Sequence, residues 1–406
     1  CMYIHRNLEE KFLRASKFFK AVLVTGARQV GKTTMLKHLS KNRTYVSLDD
    51  TDNLFLAKRD PKLFFMRYKP PIIIDEVQKA PELFPYIKIL CDESEETGLF
   101  WLTGSEQFSM MKNITESLAG RIGIMTLYPL SMNEITGVRF DQPIDFSYDS
   151  LVLREQQAKP FDLDSVFTLI WKGGMPQVQH ANSEERSLYF SSYIDTYLMR
   201  DVASSGGVTD ELRFKKFLTA CAANVSQQLN LNDLAMISEI SAPTAKAWLA
   251  ILERLHIIYL LAPYANNKLK RLAKTPKLYF FDTGLCCYLA KWLSKDTLLN
   301  GSAAGHYFEN FVVSELIKDL DYHSVNYDIS YFRDSNSKEI DIFLEYSEKI
   351  HPLEIKLSAN PDRREIKKYS ILDSNSIPRG NGGIICMNPK VFPIDQENFF
   401  IPVNVL

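Results

Sequence analysis

The chain has 406 residues, too many for one compact core, and at about 150 residues per domain it should fold as two to four. Hydrophobic residues make up 46% and charged residues 24%, which excludes a disordered or low-complexity chain. With 48 Lys/Arg against 49 Asp/Glu the net charge is −1, so a surface basic all over is excluded and any nucleic-acid surface must be a local patch.

From about residue 21 to 130, short β-branched runs alternate with helical patterns: "AVLVTG", "TYVSLDD", "PIIIDE", "LFWLTGS" and "IGIMTLYPL". This rhythm predicts an α/β fold with a parallel sheet of at least five strands. Directly after the first strand the sequence reads GARQVGKTT, in which Gly26, Ala27, Arg28, Gln29, Val30, Gly31, Lys32 and Thr33 match G-x-x-x-x-G-K-[ST] in full, with Thr34 next. Glycines let backbone N–H groups curl around phosphates, Lys32 would reach the β/γ oxygens and the Thr33 hydroxyl would bind Mg²⁺. The helix that follows adds the positive end of its dipole. The expected ligands are therefore ATP and Mg²⁺.

The third apolar run ends in Asp75 and Glu76. Asp75 is expected to support Mg²⁺, and Glu76 to polarise an attacking water, which favours hydrolysis over nucleotide storage. Thr103 and Ser105 end the fourth run, where a hydroxyl would sense a γ-phosphate or simply cap the next helix. Arg121 closes a helix just before the fifth run. Two roles are open for it: a cation on its own helix terminus, or a finger that reaches a neighbouring subunit's nucleotide.

The blocks GARQVGKTT, IIIDEVQ, LTGS, SLAGR, LYPLS, GGMP, "YIDTYLMRDV", "LYFFDTGL" and "FENFVVSEL", in this order, resemble the bacterial and archaeal AAA-type ATPase family that carries a C-terminal domain of unknown function. The resemblance implies a P-loop AAA+ core with a helical lid, the trans role for Arg121, and hence a homo-oligomer. Residues 137–164 lose the strand-helix rhythm and are expected to be a connector or insertion. Helices interrupted by "GGMP" follow over residues 165–204. Pro176 is similar to the lid proline that packs on adenine in related signalling ATPases, and the alternative is a helix break with structural glycines.

Residues 207–283 have the outline of a winged helix, with one helix over 232–237, a second from about Ser241 and a ribbon beginning at "HIIYLLAPY". The expected wing carries Lys268, Lys270, Arg271, Lys274 and Lys277, and Lys246 lies on the expected recognition helix. Between Asp210 and Lys277 there are ten Lys/Arg and five Asp/Glu. That local excess fits phosphate contacts with DNA, although protein docking is the competing use of the same module.

The last region places Glu309 on a helix, Asp341 on a strand ("KEIDIFLEY"), and Glu354 and Lys356 on the next ("HPLEIKLS"). This order resembles the PD-(D/E)XK nuclease fold, in which such acids hold Mg²⁺ and the lysine activates water. A catalytically silent scaffold with a buried ion-pair network is the other reading.

Six cysteines lie apart except for Cys286 and Cys287, without zinc-ligand spacing, so buried thiols in a reducing cytoplasm are expected. No apolar run approaches a membrane span, and no signal-peptide pattern is visible. The expected domains are 1–140 ATPase core, 141–206 helical lid, 207–283 winged helix and 284–406 an α/β nuclease-like domain. Together they point to a cytoplasmic, oligomeric AAA+ ATPase that remodels or moves along DNA. A regulatory switch docking a protein partner and an ATP-gated nuclease are the alternatives.

Overall fold

The computed structural model describes residues 3–104, 114, 117–204, 208, 210–265, 275–334 and 338–406. Its contacts divide the chain into two units: residues 1–129 with 254–257, and residues 130–253 with 258–406.

The first unit contains a parallel sheet of β1 (Ala21–Thr25), β2 (Thr44–Ser47), β3 (Ile72–Asp75), β4 (Phe100–Thr103) and β5 (Ile122–Thr126), in the order β2-β3-β4-β1-β5. All of β1, β3 and β4 is buried, as expected of central strands covered on both faces. At roughly 1.5–3 kcal/mol per buried large apolar side chain, runs such as Ile72, Ile73 and Ile74 hold the sheet together. The order matters for function. The strand ending in Thr103 lies between the strand ending in Asp75 and the strand that feeds the glycine-rich turn, so all three tips share one edge.

In the second unit, helices Glu211–Ala223, Leu231–Ile237 and Ala242–Arg254 precede a two-stranded antiparallel ribbon of β6 (Ile258–Leu261) and β7 (Lys277–Phe280). Trp248 anchors the third helix edge-on against Phe214 and Phe217, at ring-centre distances of 5.1 and 5.4 Å. A 19-residue helix, Ala304–Tyr322, then leads into a six-stranded sheet ordered β12-β13-β11-β10-β9-β8. Here β8 is Tyr327–Arg333, β9 Glu339–Tyr346, β10 Lys349–Lys356, β11 Gly382–Cys386, β12 Phe392–Pro393 and β13 Asn398–Pro402. The β9 strand pairs antiparallel with β8 and β10, and β12 with β13, whereas the β10–β11 and β11–β13 pairs are parallel.

Residues 137–164 are more ordered than their sequence suggested, because they include the helix Tyr148–Gln157. A buried charge disguises its inward face. Arg154 pairs with Asp319 at 2.7 Å and donates to the Val405 carbonyl at 2.7 Å. Among the described residues, no helix is long and apolar enough to cross a membrane. Cys91, Cys221, Cys286, Cys287 and Cys386 are buried free thiols.

Candidate functional site

The turn after β1 has the backbone the glycine pattern demands. Gly26, Gln29 and Gly31 take φ of 132°, 65° and 99°, and a Cβ on Gly26 would stand 2.2 Å from the Leu127 carbonyl oxygen. The helix Lys32–Leu39 begins at once. Ala27 and Val30 are buried, Arg28 is half-buried, and Gln29 and Thr34 are exposed. Buried Lys32 donates from Nζ to the Gly26 and Ala27 carbonyls at 2.9 and 2.8 Å, so its ammonium stays inside the loop.

Thr33 Oγ1 donates to Asp75 Oδ1 at 2.7 Å, and the Tyr45 hydroxyl donates to Asp75 Oδ2 at 2.8 Å. Thr103 also donates to Asp75, while its oxygen accepts the Glu76 N–H at 3.1 Å. Fully buried Thr103 therefore ties the two acids together from the neighbouring strand. Glu76 sits at φ 58°, left-handed for a residue with a side chain. Its carboxylate accepts from Gln78 Nε2 at 2.5 Å and lies 3.8 Å from Arg28. A hydroxyl and a carboxylate side by side are hard oxygen donors, so Thr33 and Asp75 fit Mg²⁺. Ser105, the other expected γ-phosphate sensor, lies outside the described residues.

Two neighbours escaped the sequence reading. Arg6 is buried and donates to the carbonyls of Val30 and Tyr128, each at 2.7 Å, which fixes the loop from behind. No motif marks it, since its partners are backbone atoms far along the chain. His256, also left-handed at φ 54°, has a buried Nε2 without a hydrogen-bond partner among the described residues. Burial, and then the Lys32 ammonium, push its pKa down to about 4.

Arg121 is half-exposed and pairs with Asp92 through Nε at 2.5 Å and a second nitrogen at 3.2 Å. It also donates to the Ala119 carbonyl at 3.0 Å, a contact at its own turn.

In the second unit Pro176 opens the short turn Pro176–His180. The preceding glycines meet the "FDTG" block: Asp282 accepts from Gly174 N at 2.7 Å and from Leu285 N at 2.6 Å. A Cβ on Gly173, whose φ is 80°, would meet Gly284 N at 2.6 Å. That joint accounts for the glycines by packing. Lys246 is exposed on the helix Ala242–Arg254, whose other face is buried through Ala245, Trp248 and Leu249. Lys268, Lys270, Arg271 and Lys274 lie outside the described residues.

Lys277 is a correction. Grouped with the wing cations by its sequence neighbours, it is instead buried, with Nζ 3.1 Å from Glu309, 2.7 Å from Glu339 and 3.8 Å from Asp341. It opens β7, all four residues of which are buried. Glu309, Asp341, Glu354 and Lys356 do come together as expected, with Lys356 Nζ 2.7 Å from Glu354 and 3.6 Å from Asp341. Burial, and then Asp341, raise both Glu309 and Glu354 to about 7. Burial pulls the Lys277 ammonium down, but Glu309, Asp341 and Glu339 outweigh it and keep it charged. These residues do not fit a metal. Among the described residues no group of three His, Cys, Asp or Glu is arranged to hold one.

Comparison with known proteins matches the pieces separately. Residues 18–136 match an AAA domain, residues 163–296 a domain of unknown function (DUF8612), and residues 304–406 another (DUF4143). Uncharacterized proteins of Mycobacterium tuberculosis and Mycobacterium bovis are 27% identical, covering 100% of this chain and 85% of theirs. An uncharacterized protein of Haemophilus influenzae is 22% identical over 65% of this chain and 67% of its own. Two solved structures overlap loosely. The Walker-type ATPase of Pyrococcus abyssi has a TM-score of 0.41 at 15% identity, covering 71% of this chain and 96% of its own. A STAND signal-transduction ATPase with a tetratricopeptide repeat sensor from Pyrococcus horikoshii has a TM-score of 0.27 at 13% identity, over 79% and 47%. The first unit thus carries an AAA-type P-loop ATPase domain.

Proposed function

We propose that the protein is a Mg²⁺-dependent ATP hydrolase that works on DNA as a homo-oligomer. The observation that carries the hydrolase reading is the joined pair Asp75 and Glu76, held by Thr103 beside Lys32 and Thr33. On this reading the loop N–H groups and Lys32 bind the phosphates, with Lys32 exchanging its carbonyl partners for phosphate oxygens. Thr33 and Asp75 would hold Mg²⁺, which would supply charge neutralisation at the phosphates. Glu76 takes the proton of a water whose oxygen bonds to the γ-phosphorus as the bridging P–O bond breaks, leaving ADP and phosphate. Arg121 serves a neighbouring subunit's nucleotide. The DNA arm is the three-helix and ribbon module, whose order supports a winged helix and which shows Lys246 to solvent. Asp341 and Glu354 on adjacent strands support a nuclease-like scaffold for the C-terminal sheet.

Steady-state hydrolysis by Glu76→Gln, with and without duplex DNA, tests this reading. ATP should still bind while turnover falls by about 100-fold or more, the range expected on losing a general base. Wild-type turnover should rise with DNA, and the effect should weaken as salt increases. Unchanged turnover in the variant overturns the hydrolase assignment, and turnover indifferent to DNA overturns the DNA arm in favour of a switch that docks a protein.

A further inference from the structure

Glu309, Asp341 and Glu354 stand where a nuclease-like sheet would gather a divalent cation, but each of them already faces an ammonium. Lys277 enters from β7, only 4% exposed, and its Nζ reaches Glu309 at 3.1 Å, Glu339 at 2.7 Å and Asp341 at 3.8 Å. Lys356 covers the other Asp341 oxygen at 3.6 Å and one Glu354 oxygen at 2.7 Å. Lys368 lies 3.4 Å from the second Glu354 oxygen. Two further donors fall on the oxygens the lysines reach: Tyr279 donates to Glu309 Oε1 at 2.7 Å, and the Ile355 N–H donates to Asp341 Oδ2 at 2.9 Å.

A hard divalent cation needs about six oxygen ligands at close range. Here the oxygens converge on nitrogen, and a dication among them would be forced against the buried Lys277 ammonium and the half-buried ones of Lys356 and Lys368. We infer that Lys277 is the resident cation of this cluster, that the folded protein takes no divalent metal there, and that the C-terminal sheet does not carry out metal-dependent phosphodiester hydrolysis. Lys356 then has a structural partner, Glu354, in place of a water to activate. This inference is independent of the ATPase reading, which concerns residues of the other unit.

The test is Mn²⁺ binding to the nucleotide-free full chain, read by electron paramagnetic resonance, for wild type and Asp341→Asn. Any Mn²⁺ at the P-loop is common to both and cancels. Equal stoichiometry is expected, and one more Mn²⁺ in wild type than in the variant would overturn the inference. Lys277→Ala, confirmed as folded by its melting curve, should gain one Mn²⁺ equivalent that Lys277→Ala/Asp341→Asn lacks. A folded Lys277→Ala that gains none overturns the role of Lys277. If that variant fails to fold, the wild-type comparison decides alone.

Discussion

His256 and Asp75 show how much chemistry depends on neighbours that lie far off in sequence. Asp75 is held from three elements, by Thr33, Tyr45 and Thr103, so it is oriented before any ligand arrives. His256 sits in a turn that groups with the first unit, and its depressed pKa has a measurable consequence. A histidine at about 4 in the folded chain, against an ordinary value near 6.5, stabilises the fold fully above about pH 6.5. That contribution is lost as pH falls toward 4, because the unfolded chain takes up the proton first. In a proton NMR titration its ring resonances should stay flat from pH 8 to about 5.5, and a midpoint near 6.5 would contradict the buried environment. At this scale the glycine-rich turn, Asp75 and Glu76 were legible because their chemistry is local. Arg6 was not, since nothing in a short window shows that its partners are the carbonyls of Val30 and Tyr128.

The helix Ala304–Tyr322 is the element whose sequence hid its work. It is buried on nearly every side and carries Glu309, Asn310, Glu315, Lys318 and Asp319 inward, so its pattern lacks a clean polar face. The charges are matched inside the second unit: Glu315 with Lys318 at 2.8 Å, and Asp319 with Arg154. Asn310 accepts from Phe280 N at 2.6 Å and donates to Phe280 O at 3.0 Å, taking the part of a neighbouring strand for β7. Asn310→Ala strands both backbone groups, at roughly 2–4 kcal/mol. Its denaturation midpoint should drop and the Phe280 amide should lose hydrogen-exchange protection; an unchanged exchange rate would refute this account. The glycines of "GGMP" were likewise visible as a break in a helix. Their reason was not, because Asp282 and Gly284, which they pack against, lie more than a hundred residues later.

For the whole molecule, the open matter is whether subunits share a site through Arg121. Its pair with Asp92 is solvent-exposed, and exposed ion pairs are weak enough for a partner's phosphate to replace. Turnover per subunit should therefore rise with protein concentration in wild type, and Arg121→Ala should lower it by about a thousandfold, the scale of an arginine finger. Asp92→Asn frees the arginine and should leave turnover intact. A rate independent of concentration, or an active Arg121→Ala, would assign Arg121 to its own turn alone. The sequence by itself determined the parallel sheet, the phosphate loop and the acids beside it, because strand periodicity and backbone-driven motifs are written in consecutive residues. It also brought out the order of acids in the last region. Only the tertiary structure decided that Lys277 belongs among them and not on a wing. A strand residue's neighbours across a sheet and helix are set by packing, and the charge that matters there is the one that becomes buried.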